Sequence, residues 1–214
     1  MMKEQGGQEM LEDTGERIIP EKMNIMSSML VEHLARYHFA SLFTEGRILD
    51  FACGSGYGTH IIAKRCKEKV SEVVGVDMEK EALNYAEYTY YHPKSTFKLA
   101  DVTDANIPNQ LGKFDYIISF ETLEHIQDEE QFLDNIYEML QPGGTLILST
   151  PFGKGRAKPC KNPFHVHQLK EEEFRELFVN YSSVSYYYQE HALIIPAESA
   201  KGRHFPLGIV ICQK

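Results

Sequence analysis

The residues best equipped for chemistry lie around RILDFACGSGYGTH, residues 47–60, where Asp50 precedes three closely spaced glycines. A carboxylate beside bare backbone suits a ligand carrying an ammonium, because glycines let amides and carbonyls come close. Two more acids, Asp77 in GVDMEKEAL and Asp101 in KLADVTD, end apolar runs. A carboxylate can accept two hydroxyl protons from one ligand, or it can cap a following helix. His125 follows Glu124 in FETLEHI, and His165 and His167 lie in NPFHVHQ. Imidazole takes protons near neutral pH, although a single histidine serves structure more often than catalysis. The remaining histidines read as surface residues.

Two familiar phosphate-binding loops are disfavoured. A dinucleotide fingerprint needs G-x-G-x-x-G, and from Gly54 the pattern runs G-S-G-Y-G-T, with Thr59 at the third glycine position. Asp50 would also repel a pyrophosphate. A Walker loop would require G-K-[ST], which does not follow. A zwitterionic or cationic ligand fits better.

The elements that must position these residues alternate. Apolar runs at 47–52, 72–77, 95–101, 114–120 and 145–151 read as strands. Helical patterns fall at 59–69, 78–92 and 128–141, the last stopped by Pro142, Gly143 and Gly144. Such alternation predicts parallel βαβ units covered on both faces, with ligands outside the carboxyl ends of the strands. Residues 152–170, rich in Gly, Pro, Lys and His, read as a loop. A helix, EEEFRELFVNY, and two strands, 183–189 and 207–213, follow. Ahead of the first strand, Met26, Met29, Leu30, His33, Leu34 and Tyr37 repeat at helical spacing. That helix and the long loop would both lie at the carboxyl edge, where a lid is expected. Tyr37 there packs in the core or touches a ligand, and Arg36 beside it reads equally as a surface charge.

Composition narrows the setting. The 214 residues, 43% hydrophobic and 25% charged, suit one globular domain. We expect a flexible lead-in and helical cap over 1–44 and a binding domain over 45–214. No apolar run approaches the ~20 residues that span a bilayer, and MMKEQGGQEM lacks the apolar core of a signal peptide. Cys53, Cys66, Cys160 and Cys212 are scattered, without metal or disulfide spacing, and no metal ligands are assigned. A cytoplasmic protein with reduced thiols is expected. The net charge of −9 argues against nucleic acid as partner; Lys154, Arg156, Lys158 and Lys161 read as a solvated loop.

The stretch LDFACGSGYGT resembles the first motif of class I S-adenosylmethionine-dependent methyltransferases, an acid followed by G-x-G-x-G, with Ala52 at the first glycine. GVDMEKEAL, KLADVTD, FDYIISFETLEHI and LQPGGTLILSTP resemble the motifs that follow, in order, over residues 47–151. TGERIIPE with EHLARYHFA, and NPFHVHQLKEEEF, resemble the flanks of a bacterial subset that modifies small molecules, sugars or surface glycans. The resemblance implies a Rossmann-like α/β fold with a mostly parallel seven-stranded sheet, an antiparallel last strand and a helical N-terminal cap. It implies S-adenosylmethionine as cofactor and S-adenosylhomocysteine as product. Asp50, Ala52, Gly54, Ser55 and Gly56 would form the cofactor loop. Asp77 would hold the ribose hydroxyls and Met78 would pack on the adenine. Asp101 and Val102 would meet the adenine edge, and Ser119, Phe120 and Glu121 would line the methionine end. The acceptor expected is a small molecule such as a sugar or phenol, methylated on oxygen, with nitrogen second. His125 and His165 are the expected bases. Two rivals stand beside this reading, a non-catalytic module that binds the same cofactor and a nicotinamide dehydrogenase.

Overall fold

The computed structural model describes residues 11, 12, 14–156, 158–160 and 162–214. The lead-in 1–10 and Lys161 of the basic cluster lie outside the described residues. The chain enters through α1 (Ser28–Ala40), then alternates β1 (Gly46–Phe51), α2 (Tyr57–Arg65), β2 (Val70–Asp77), α3 (Lys80–Thr89) and β3 (Ser95–Leu99). A short α4 (Ile107–Leu111), β4 (Phe114–Phe120), α5 (Glu129–Met139) and β5 (Leu140–Pro151) complete the alternation. After the long loop come α6 (Glu171–Glu176), β6 (Ser183–Glu190), β7 (Leu193–Pro196) and β8 (Leu207–Gln213).

The strands form one sheet in the order β3-β2-β1-β4-β5-β8-β6-β7. β1 to β5 pair in parallel, while β8 inserts antiparallel between β5 and β6. The architecture is the expected Rossmann-like α/β sheet with its antiparallel last strand. It has eight strands rather than seven. The addition, β7, is a four-residue edge strand antiparallel to β6, too short for an alternating pattern to register. A second correction concerns α5, which stops at Met139 rather than running to residue 141. β5 begins at once, and its pairing with β4 shifts register between Phe114 and Tyr116, opposite Pro142, Gly143 and Gly144.

The alternation of side chains in the buried strands explains the layers. In β1, Ile48 faces a cluster with Leu30, Ala40, Ile62 and Ala63 of α1 and α2. Leu49 and Phe51 face the opposite cluster with Ile107, Phe132, Ile136 and Phe174 of α4, α5 and α6. Fully burying a Leu, Ile or Phe side chain is worth roughly 1.5–3 kcal/mol, so two apolar faces require two helical covers.

This topology fixes where a ligand goes. From β1 the chain runs outward to β3 and then crosses back to β4 on the other side of β1. The loops leaving β1 and β4 diverge, and the crevice between them opens at the carboxyl ends of the strands.

Candidate active site

A cavity of about 330 Å³ occupies that crevice. Gly54, Asp77, Met78 and Val102 line one end, and Glu16, Tyr37, Phe120 and His125 line the other.

At the first end, local backbone dictates the shape. β1 breaks at Ala52, which adopts a left-handed φ of 69°, followed by Gly54 at 55° and Gly56 at 84°. A glycine would adopt the Ala52 conformation freely, whereas an L side chain is strained there by roughly 1–2 kcal/mol. Gly54 has nothing within 4 Å of where a Cβ would stand, so its backbone faces open space. Gly56 serves packing instead. A Cβ there would come 2.4 Å from the Cβ of Ala86, and its place is the N-cap of α2. Ser55 lines the cavity and donates from Oγ to the Ile18 carbonyl at 2.6 Å, stapling the N-terminal segment over the loop.

Asp77 ends β2 with its carboxylate on the cavity. Its Oδ2 accepts from the Gly54 N–H at 2.8 Å and its Oδ1 from the Glu79 N–H at 3.0 Å. Burial pushes this acid up from its ordinary range, against the Gly54 N–H and the nearby Arg17 guanidinium, which pull it down. Each oxygen keeps a lone pair for a ligand. Met78 is 70% exposed at the rim. Val102 and Ala100 line the wall beyond, but Asp101 between them does not. Its carboxylate takes the N–H and Oγ–H of Thr103 at 2.9 and 2.7 Å, closing a turn.

Asp50 also lies behind the wall. It is fully buried, with Oδ1 accepting from the Tyr37 hydroxyl at 2.9 Å and Oδ2 from the Thr59 hydroxyl at 2.6 Å. Burial lifts it to about 6, and these two hydrogen bonds hold it down from going higher. Its reach to the cavity is through Tyr37, whose ring packs edge-on against Tyr57 and Phe120. Arg36, which the sequence leaves open as a surface charge, is 1% exposed. It donates to Gln189 Oε1 at 2.9 Å and stands 3.9 Å from Glu121 on the cavity wall.

The second end is assembled from distant segments. The turn after β4 carries Glu124 and His125. The backbone of the loop after β5 docks on it, Val166 N–H donating to the Glu124 carbonyl at 2.8 Å. That contact sets the rings of His125 and His165 edge-on with centroids 4.9 Å apart. His125 lines the cavity and His165 stands behind it. Nδ1 of His125 lies 3.0 Å from the Phe164 carbonyl. A carbonyl only accepts, so Nδ1 carries the proton and Nε2 keeps its lone pair. Glu16 reaches over from the N-terminal segment, its oxygens 3.9 Å from Nε2 of His125 and 3.7 Å from Nε2 of His165. Asn162 donates from its amide to Glu16 and to His165 Nε2. Glu124 is 1% exposed, and its burial beside Glu121 pushes its carboxyl well above the ordinary range. Burial and the neighbouring His125 lower His165.

Two histidines fall elsewhere than the sequence suggests. His167 turns from the cavity to Glu129, 3.3 Å away. His33, read as a surface residue, lines the cavity, with Nδ1 3.0 Å from the Tyr57 hydroxyl. Burial and Arg36 hold it well below its usual range. Its helical spacing with Leu34 and Tyr37 was the available signal. For Glu16 the signal was only its place in the TGERIIPE flank, because its partners are 109 residues or more away in sequence.

The donor set of the first end fits an adenosine-bearing, amine-bearing ligand: an open glycine backbone, an acid with spare lone pairs and apolar walls. Comparison with known proteins gives the same answer. A family model described as a methyltransferase domain matches residues 42–194. A probable S-adenosylmethionine-dependent methyltransferase of Mycolicibacterium smegmatis is 31% identical over 172 residues, covering 77% of this chain and 62% of the relative. One from Mycobacterium tuberculosis, also named probable, is 30% identical, covering 78% and 59%. The chain thus spans about three-fifths of the length of these curated relatives. The plantazolicin methyltransferase BpumL, solved in complex with S-adenosylhomocysteine, shares the fold with a TM-score of 0.62. It is 15% identical and the match covers 86% of this chain and 84% of that one. The chain belongs to the S-adenosylmethionine-dependent methyltransferases, and S-adenosylmethionine is the family's cofactor. Among the described residues no helix is long and apolar enough to cross a membrane.

Proposed function

We propose that this chain transfers a methyl group from S-adenosylmethionine to a hydroxyl oxygen of a small acceptor, a sugar or a phenol, releasing S-adenosylhomocysteine. The observation that carries the reading is a single cavity with Gly54 and Asp77 at one end and His125 at the other. The bound cofactor supplies an electrophilic methyl on a sulfonium; the chain supplies position, which can account for much of the rate of a displacement between two held partners.

In this reading Asp77 accepts both ribose hydroxyl protons, and Met78 and Val102 flank the adenine, with Asp101 holding the turn beside it. Gly54, Ser55 and Ala52 border the methionine portion, with Gly56 starting the helix behind them. Tyr37 and Phe120 bound the path toward the acceptor, and Asp50 acts on the cofactor by fixing Tyr37. His125 and His165 serve the acceptor's loss of its proton. The His125 Nε2 lone pair faces that end, and Glu16 supports the positive charge that develops. The segment up to residue 44 serves as a cap over 45–214. The net charge of −9 favours a small acceptor over nucleic acid, and the scattered cysteines favour a cytoplasmic setting.

The test is incubation with S-adenosylmethionine and a series of sugars and phenols, following S-adenosylhomocysteine release and locating the new methyl by NMR. Acceptor-dependent release with a methyl on oxygen is expected. A methyl on nitrogen would replace the acceptor atom, and cofactor binding without turnover on any acceptor would leave a binding module.

A further inference from the structure

We propose that Glu16, His125 and His165 form a site for one divalent transition-metal ion at the acceptor end of the cavity. One donor atom from each lies within 4.8 Å of the other two. Tetrahedral or octahedral ligands at about 2.0–2.1 Å from an ion stand roughly 3–3.4 Å apart, so closure asks for movements of about 1 Å.

The strongest argument is the orientation of lone pairs. Nε2 of His125 stands among carboxyl oxygens, Glu16 Oε2 at 3.9 Å and Glu124 Oε1 at 3.9 Å, while Nδ1 meets the Phe164 carbonyl on the far side of the ring. Nε2 of His165 accepts from Asn162 at 3.0 Å and stands 3.7 Å from Glu16 Oε1. Acceptor atoms facing one another call for positive charge between them. The amide of Asn162 meets part of that call by donating to both Glu16 and His165, with its own carbonyl fixed by the Phe164 N–H at 3.0 Å.

Charge supports the same conclusion. Glu16 and Glu121 stand at this end, burial holds the neighbouring Glu124 toward its neutral form, and the buried Arg36 is 3.9 Å from Glu121 and already shared with Gln189. The hydrogen bond that fixes His125 is the arrangement metal-bound imidazoles use, with the far nitrogen donating to a carbonyl. Nδ1 of His165 has no such partner among the described residues, and its side chain is 10% exposed. Two imidazoles and one carboxylate select borderline ions such as Fe²⁺, Co²⁺ or Zn²⁺ over Mg²⁺ or Ca²⁺.

The site deepens the proposed reaction and rests on it for its purpose. An acceptor hydroxyl ligated to the ion ionises more readily and gives its proton to water. The carbon–sulfur bond to the methyl then breaks as the carbon–oxygen bond forms. With the ion bound, the histidines hold it and water takes the proton; in the metal-free chain they serve as the base themselves.

The experiment is titration of EDTA-treated protein with Co²⁺, read by visible absorption and calorimetry, alongside S-adenosylhomocysteine on the same sample. Wild type should bind one equivalent of Co²⁺ with the spectrum of a nitrogen- and oxygen-ligated ion. Glu16→Gln and His165→Ala, shown folded by thermal unfolding, should each bind at least about tenfold more weakly. No Co²⁺ spectrum at millimolar ion, or equal binding by wild type and both variants, would overturn the site. S-adenosylhomocysteine binding without Co²⁺ binding overturns the metal site alone. Co²⁺ binding without S-adenosylhomocysteine binding upholds it and overturns the methyl-transfer reading.

Discussion

The two ends of the cavity are built by different means. The cofactor end is made where single strands stop: Gly54 follows β1, Asp77 closes β2, and Ala100 and Val102 follow β3. Each is fixed by backbone within a few residues or by the adjacent strand, as the Gly54 N–H on Asp77 illustrates. The acceptor end is made where segments meet. Glu16, His125 and His165 come from the N-terminal segment, the turn after β4 and the loop after β5. Side-chain contacts such as that of Asn162 with Glu16, 146 residues apart, hold it together. An end built from strand termini is rigid and shared with other chains of the fold; one built from loops and a cap can vary while the sheet stays the same.

The largest expected effect separates the two ends directly. The double variant His125→Ala/His165→Ala should lower kcat by about 10²–10⁴, with S-adenosylhomocysteine affinity within about threefold of wild type. Steady-state kinetics beside calorimetry measures both. Equal loss of affinity and turnover would mean that the two ends are one unit.

A smaller effect is expected at the joint between cap and loop. A Cβ on Gly58 would stand 2.0 Å from the Tyr37 ring. Gly58→Ala should therefore cost about 1–3 kcal/mol by overpacking and lower the melting temperature by roughly 2–12 °C. An unchanged melting temperature would show that α1 docks on α2 more loosely than these contacts imply.

The smallest effect tests the buried acid behind the cofactor end. Asp50 binds its proton more tightly in the folded chain, at about 6 against an ordinary 3.8. From about pH 4 to 6 the folded state therefore holds more of this proton than the unfolded state. The Asp50 contribution to stability falls as pH rises through that window. Asp50→Asn should remove that fall, seen as a smaller difference between urea midpoints at pH 4.5 and 7. The same pH difference in variant and wild type would place the titration elsewhere.

The contrast also explains what could be read from the sequence. β1, β2, β4 and β5 were legible because strands buried on both faces are continuous apolar runs, β3, a half-exposed edge strand, because of its place in the alternation, and the acids ending β2 and following β3 mark the cofactor wall. β7 was not, since four residues at an edge carry no period. Asp50 was legible as important, but its burial behind Tyr37 was not, because it depends on a side chain from α1. His33 read as a surface group on an amphipathic helix and Arg36 was open between surface charge and ligand contact; packing against Gln189, Glu121 and Tyr57 brought both inside. Glu16 lies in a segment with no periodic signal, and only the folded chain brings it to the histidines.

The most direct test of the central claim, that the strand ends form the cofactor site, is calorimetric titration with S-adenosylhomocysteine of wild type and Asp77→Ala. Losing two hydrogen bonds to a charged group, each worth about 1.5–3 kcal/mol, predicts one micromolar site in wild type and affinity at least about a hundredfold weaker in the variant. No binding by wild type, or equal binding by both, would contradict the account.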